Sequence, residues 1–216
     1  MKTINLKIKP FSLWVSYNLL NPNPIQDMLP KNMELANIKI LEDDVISSPR
    51  LLFNCYNIDS FLMKGSRLEI MTIAKKNKDF HFVVLDCISN TIQWDPINNI
   101  RGPNGNIKFS YLQENLNCKV IKFNNKFNFR GTPLDLINMT NDFAVKSNYE
   151  CFFRNSEESV KLSFNEEEIM RPVRKLKIIN LENNFWKKYR SDFPDHIFMH
   201  EKSMSFKTKM PKISIF

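Results

Sequence analysis

Glycine is scarce in this chain of 216 residues: there are four, and two of them, Gly102 and Gly105, fall within four positions. So little glycine leaves no room for phosphate-cradling loops, and neither a G-x-G-x-x-G pattern nor a P-loop occurs. Histidine is as thin, with only His81, His196 and His200. No G-x-S-x-G elbow accompanies them, so a nucleophile–histidine–acid triad has no basis. The four cysteines, Cys55, Cys87, Cys118 and Cys151, stand 32, 31 and 33 residues apart, without a C-x-x-C pair. That spacing removes zinc ribbons and thioredoxin-like motifs. Each lies in an apolar, strand-like run, as buried free thiols of a reducing cytoplasm do. No apolar run approaches the roughly 18 residues of a membrane span. The opening MKTINLKIKPFS alternates where a signal peptide would carry a continuous apolar region. The expectation is a cytoplasmic protein with no membrane span.

His196 and His200 have the H-x-x-x-H spacing of zinc ligands on a helix. Pro194 precedes them, no glutamate lies between them, and only His81 remains as a further histidine. Zinc asks for more ligands than that, so neither a metal nor a cofactor is expected.

What the chain has in quantity is apolar and aromatic: 43% hydrophobic and 12% aromatic residues, 18 of them Phe. This supports a packed interior and excludes the disordered class. No linker-like stretch divides the chain, so one domain over residues 1–216 is expected. The net charge of +8 is concentrated at the end, where Arg171 to Phe216 holds eleven Lys or Arg against four acidic residues. A basic end attracts phosphate-rich partners or anionic surfaces. It is also what a lysine-rich sequence places on any solvated face, and the Arg171, Arg174, Lys175, Lys177 cluster is interrupted by apolar residues. Phe80-His81-Phe82 is read as core before base-stacking platform. A nucleic-acid partner is the less favoured alternative.

Period-2 alternation dominates from the start. Strands are expected around Ile4–Ile8 and Phe11–Tyr17, broken at Pro10, and a short helix capped by Asn23 with Pro24 at its first position. Met33–Leu41, Leu51–Tyr56, Arg67–Lys75 and Phe80–Ser89 follow as strands, with turns at Lys64-Gly65-Ser66 and Asn77-Lys78-Asp79. Phe80–Ser89 is apolar on both faces and reads as central. Ile107–Tyr111, Val120–Phe123 and Phe127–Phe129 are strands, with a hairpin at Asn124-Asn125. A short mixed segment over Leu134–Met139 precedes strands at Phe143–Arg154 and Ser159–Phe164. Ile178–Tyr189 is the best helix by its i, i+4, i+8 pattern of Leu181, Phe185 and Tyr189. The tail after His200 returns as a strand. Ten to a dozen short strands without a βαβ rhythm predict a mainly β fold, a closed or nearly closed antiparallel β-barrel with one or two peripheral helices.

Two places draw attention. Asn98 to Phe109 contains Arg101-Gly102-Pro103-Asn104-Gly105, a bent polar segment between apolar runs. Arg67–Lys75 puts Arg67, Glu69, Met71 and Ile73 on one face. If that face points inward, an ion pair lies inside an apolar barrel, where charges are seldom left without a partner or a purpose.

The order of these features resembles the acetoacetate decarboxylase-like superfamily. The likeness is carried by Trp14-Val15-Ser16-Tyr17 with Pro24 to Leu35, by Ser66 to Ile73 with Phe82 to Asp86, and by Arg101 to Gly105. The last stands where the decarboxylases carry Arg-Glu followed by Gly-Phe-Pro-Lys-Lys, and His200 to Phe216 is similar to the closing strand. The resemblance implies a β-barrel with a ligand cavity and, in its decarboxylases, a lysine made nucleophilic by a neighbouring lysine. Aligned on Pro103, Asn104 and Gly105 occupy the two lysine positions, and asparagine forms no imine. The resemblance therefore implies a small carboxylate or carbonyl ligand bound near Arg67, Glu69, Trp94, Arg101 and Asn104. An active lyase remains as the alternative, with Lys108 as a displaced nucleophile or Glu69 as the acid–base group. A homo-oligomer is left open.

Overall fold

A computed structural model describes residues 3–60, 64–91, 94–95, 100–101, 103–140, 143, 148–156, 159–164 and 173–209. The strands are β1 (Thr3–Ile8), β2 (Ser12–Asn18), β3 (Glu34–Leu35), β4 (Arg50–Asp59), β5 (Lys64–Lys76), β6 (Asp79–Ser89), β7 (Trp94–Asp95) and β8 (Ile100–Arg101). They continue with β9 (Asn106–Leu112), β10 (Asn115–Lys122), β11 (Asn125–Ile137), β12 (Asn148–Phe153), β13 (Ser159–Phe164), β14 (Val173–Asn183), β15 (His196–His200) and β16 (Met204–Lys209). Among the described residues the α-helix is a single turn, α1 (Asn23–Gln26), with Pro24 in its first turn as expected but Pro22, not Asn23, at the cap.

All strands but β7 and β8 join one sheet of 14 strands, in the order β3-β5-β6-β12-β13-β16-β1-β4-β2-β15-β14-β11-β10-β9. The protein is mainly β, as expected. The sheet as a whole is not closed: it ends at β3 and β9, although β4 also pairs with β5. Nor is it wholly antiparallel, because Phe152 and Phe153 of β12 run parallel to Val83 and Val84 of β6.

Two-residue hairpins set the register of three strand pairs. Lys76 pairs with Asp79, Leu112 with Asn115, and Lys122 with Asn125. Gln113 and Glu114 both take positive φ, 49° and 58°, the backbone of a type I′ turn whose twist matches its strands. Phe123, rather than an asparagine, enters the third loop at φ 52° and is exposed.

The expected helix over Ile178–Tyr189 is instead the second half of β14 followed by one 3-10 turn at Lys187–Tyr189. β11 offers a long edge, and β14 pairs with it from Ile137↔Val173 to Phe127↔Asn183. That ladder satisfies the backbone and overrides the weak helical periodicity. β11 itself continues through Pro133 to Ile137 with two register shifts, where a mixed segment was expected. Met33–Leu41 is strand only at Glu34–Leu35, supplemented by isolated bridges Ile38↔Ser48 and Leu41↔Met139. Lys64-Gly65-Ser66 begins β5 and is not a turn. The expected strand over Phe143–Arg154 is seen at Asn148–Phe153, and the remainder of the tail beyond Lys209 lies outside the described residues.

β2, β4, β5 and β6 are buried on both faces, which explains their near-continuous apolar runs. One face carries Leu13, Val15, Leu51, Phe53, Leu68, Ile70, Val83 and Leu85, and packs on Ile107, Cys118, Val120, Phe127 and Phe129 of the β9–β10–β11 meander. The other face carries Trp14, Leu52, Tyr56, Met71, Ile73, Val84 and Cys87, and packs on residues of β1, β12, β15 and β16. All four cysteines are free and buried.

Candidate functional site

The second face holds the polar groups. Period 2 along β2 sends Ser12, Trp14 and Ser16 to the same side. The register then lines up one row across five strands: Phe198 opposite Trp14, Trp14 opposite Asn54, Asn54 opposite Glu69, and Glu69 opposite Cys87. In the neighbouring row Tyr56 is opposite Arg67, and Arg67 opposite Ser89.

Arg67 and Glu69 are together, as expected of an inward face. Arg67 Nε lies 2.9 Å from Glu69 Oε1, with side-chain exposures of 12% and 15%. The same Nε is 3.1 Å from Cys87 Sγ, and the Tyr56 hydroxyl hydrogen-bonds Glu69. Burial alone would depress the guanidinium, but Cys87, Tyr56 and Glu69 outweigh it and hold Arg67 charged, well above its ordinary value. Burial raises Tyr56, and the Glu69 charge raises it further. Burial likewise pushes the Cys87 thiol to about 11, against the pull of Arg67. The cluster is thus one ion pair flanked by a neutral phenol and a neutral thiol.

Beside it lie buried polar atoms with nothing to bond. Among the described residues Trp14 Nε1, Asn54 Oδ1, Ser12 Oγ, Ser16 Oγ and His200 Nδ1 have no hydrogen-bond partner, and neither has Arg50 Nε. Their residues are at most 6% exposed. Buried polar groups are ordinarily paired, and each orphan costs about 1–3 kcal/mol. Six such atoms lie on one face of the sheet. Burial lowers His200 to about 4, so its ring is neutral near pH 7.

A second cluster, with no sequence signal, sits on the same face at the Arg50 end of β4. The Arg50 guanidinium pairs with Asp195, lies 3.9 Å from Asp44 and donates to Asn18 Oδ1 at 2.9 Å. His196 Nε2 is 2.9 Å from Asp44 Oδ1. Asp44 Oδ2 also accepts the Ile40 and Leu41 amides at 2.9 and 3.2 Å. The cluster's five side chains come from three separate stretches, Asn18, Asp44 with Arg50, and Asp195 with His196, so only the fold assembles them. The H-x-x-x-H pair rides on strand β15, not a helix, and among the described residues no group of His, Cys, Asp and Glu is placed to hold a metal ion.

The remaining sequence candidates separate. Asn104 docks on the end of β6: its backbone N–H reaches the Ser89 carbonyl at 2.9 Å, its Oδ1 accepts the Ser89 amide at 2.7 Å, and its Nδ2 donates to the Cys87 carbonyl at 2.9 Å. Gly105 is fitted closely, since a Cβ there would stand 2.3 Å from Ile88 Cγ2. Trp94 and Arg101 are backbone partners in the small β7–β8 ladder, apart from the main sheet. Lys108 is exposed on β9 opposite Lys119, between the buried Ile107 and Phe109. Not all of the basic C-terminal charge is on the surface either. Arg190 is buried, stacked 3.8 Å over the Tyr17 ring and donating to the Phe185 and Asn183 carbonyls, while Arg174 pairs with Glu201.

No protein-family profile and no curated protein matches the sequence. Solved structures match in fold. An acetoacetate decarboxylase from Legionella pneumophila aligns over 94% of this chain and 84% of its own, at 10% identity and a TM-score of 0.55. An acetoacetate decarboxylase-like enzyme from Sphingomonas wittichii aligns over 95% and 90%, at 9% identity and a TM-score of 0.57. The enduracididine biosynthesis enzyme MppR, in complex with pyruvate, aligns over 96% and 86%, at 8% identity and a TM-score of 0.53. The chain has the acetoacetate decarboxylase-like fold that its motifs resemble; identities this low speak for the fold alone.

Proposed function

We propose that this protein binds a small carbonyl compound, with or without a carboxylate, on the second face of the sheet, and that it does so without forming a Schiff base. The strand succession β4–β5–β6–β12–β13–β16–β1 returns to β4 through the pair Ile8↔Ile58. In this reading that rolled part encloses a ligand chamber, which matches how small barrels hold ligands. The observation that carries the proposal is the set of unpartnered polar atoms beside the Arg67–Glu69 pair. A ligand would supply the bonds that the protein leaves unmade.

The binder reading is preferred to the lyase because no described amine fits the imine role. The Asn104 side chain bonds to β6, Gly105 has no side chain to offer, and Lys108 points to solvent. Glu69 remains the acid–base group of the lyase alternative.

The test is calorimetric titration with a panel of 2-oxo and 3-oxo acids and their amides, pyruvate included because a structural neighbour holds it. At least one member is expected to bind, with affinity reduced in Asn54→Ala. Borohydride added to the complex should leave the intact mass unchanged. An adduct on Lys108 would establish the lyase alternative, and failure of the whole panel would end the carbonyl-binding reading.

A further inference from the structure

We infer that the ligand of this face is an uncharged carbonyl compound carrying its own N–H or O–H, and that Trp14 and Asn54 are the pair that recognises it. This rests on the carbonyl-binding reading and narrows its ligand from carboxylate or carbonyl to the neutral class.

A carboxylate taken out of water needs a cation that is not already engaged. Among the described residues, both guanidinium groups of this face are engaged with carboxylates. Arg67 is 2.9 Å from Glu69, and Arg50 pairs with Asp195 and Asp44. The third buried arginine, Arg190, lies over Tyr17 and Phe53 in the opposite core. His200, Tyr56 and Cys87 are all neutral near pH 7. An anion entering here would meet the Glu69 carboxylate and, among the described residues, no unspent positive charge.

What the face leaves open is neutral apart from Arg50 Nε, whose charge is already offset by Asp195 and Asp44. Trp14 Nε1 is an unpartnered donor and Asn54 Oδ1 an unpartnered acceptor, and the two residues are direct partners across β2 and β4. Ser12 and His200, partners across β2 and β15, add an unpartnered hydroxyl and ring nitrogen beside them. A carbonyl oxygen suits the indole N–H, and an adjacent amide N–H or hydroxyl suits Asn54. The indole is held in place by rings: Phe198 stacks at 6.3 Å, Phe82 lies at 5.8 Å and Phe143 meets it edge-on at 5.5 Å. Its N–H therefore has one fixed direction, and the packing around the indole is aromatic.

Pyruvamide and pyruvate test this directly, because they differ by one group of similar size and by a full charge. In calorimetric titration of the whole chain, pyruvamide should bind about tenfold or more tighter, the least that an uncompensated buried carboxylate would cost. Equal or tighter binding of pyruvate overturns the inference and leaves the carbonyl-binding reading standing. Binding of neither overturns both. Trp14→Phe removes the N–H together with part of the ring, so it should weaken pyruvamide about tenfold or more and also lower thermal stability through the cavity it leaves. A loss of stability with unchanged affinity would make Trp14 a packing residue only. Glu69→Gln leaves Arg67 without its counter-charge and should move the preference about tenfold towards pyruvate; an unmoved preference would refute charge compensation as the cause.

Discussion

The side chain of Asn104 stands in for a strand. It accepts the Ser89 amide at 2.7 Å and donates to the Cys87 carbonyl at 2.9 Å, groups that would otherwise end β6 unpaired. Asn104→Ala is therefore expected to lower stability by about 1–3 kcal/mol, the cost of two orphaned backbone groups partly open to water. Urea denaturation reads this, and pyruvamide titration is its complement: a residue that bonds only to β6 affects ligand affinity less than Asn54 does. A variant with full stability and no ligand binding would return Asn104 to the ligand shell. At this scale the sequence was informative where alternation decides direction. Arg67, Glu69, Met71 and Ile73 share a face because a strand has period 2, and that face is interior. The partners of Asn104 were beyond reach, since nothing local tells an asparagine in a turn from one bonded to a strand 15 residues upstream.

Between elements, Asp44 does the joining. Its carboxylate takes the Ile40 and Leu41 amides of its own loop, lies 2.9 Å from His196 Nε2 on β15, and 3.9 Å from Arg50 on β4. Arg50 keeps Asp195 and Asn18 as partners, so removing the acid strands two backbone amides and takes a partner from His196. Asp44→Ala should cost about 2–4 kcal/mol, the penalty for two backbone amides left without an acceptor. Chemical denaturation measures it, and a loss below about 1 kcal/mol would show that the cluster is effectively solvated. The same scale explains the misread helix. Leu181, Phe185 and Tyr189 keep a helical period, yet Val173–Asn183 lies along β11, and Arg190 binds the carbonyls of Asn183 and Phe185 as the chain leaves the strand. Local periodicity proposes an element, and a long available edge decides it. Asn77-Lys78, where the turn and both strands agree, was legible in full.

For the molecule as a whole, the sequence conveyed strand content and the double-sided burial of β6, but not how the sheet is joined. The parallel contact of β12 with β6 and the double use of β4 depend on pairings between residues far apart in the chain, which leave no local mark. Nor did it show that the interior face would carry a neutral histidine. His200 is 2% exposed, and burial brings it to about 4, well below the ordinary 6.5, against a hydrogen bond to the Lys202 backbone. The unfolded chain thus takes up this proton first as pH falls. The His200 contribution to stability is complete above about pH 6.5 and is lost progressively down to about pH 4, amounting to about 3 kcal/mol. His196 is lowered in the same direction, chiefly by burial and against Asp44, so two groups act in one window. The added positive charge also raises self-repulsion in a chain already at +8. Urea midpoints measured from pH 7 to pH 4 should fall steeply for the parent protein. In His200→Gln, which cannot take up a proton, the slope should flatten by about 1.4 kcal/mol per pH unit, the weight of one proton. His196 keeps it from vanishing. Identical slopes in the two proteins would mean that His200 meets water in the folded state, and the unpartnered Nδ1 on the ligand face would then be no orphan at all.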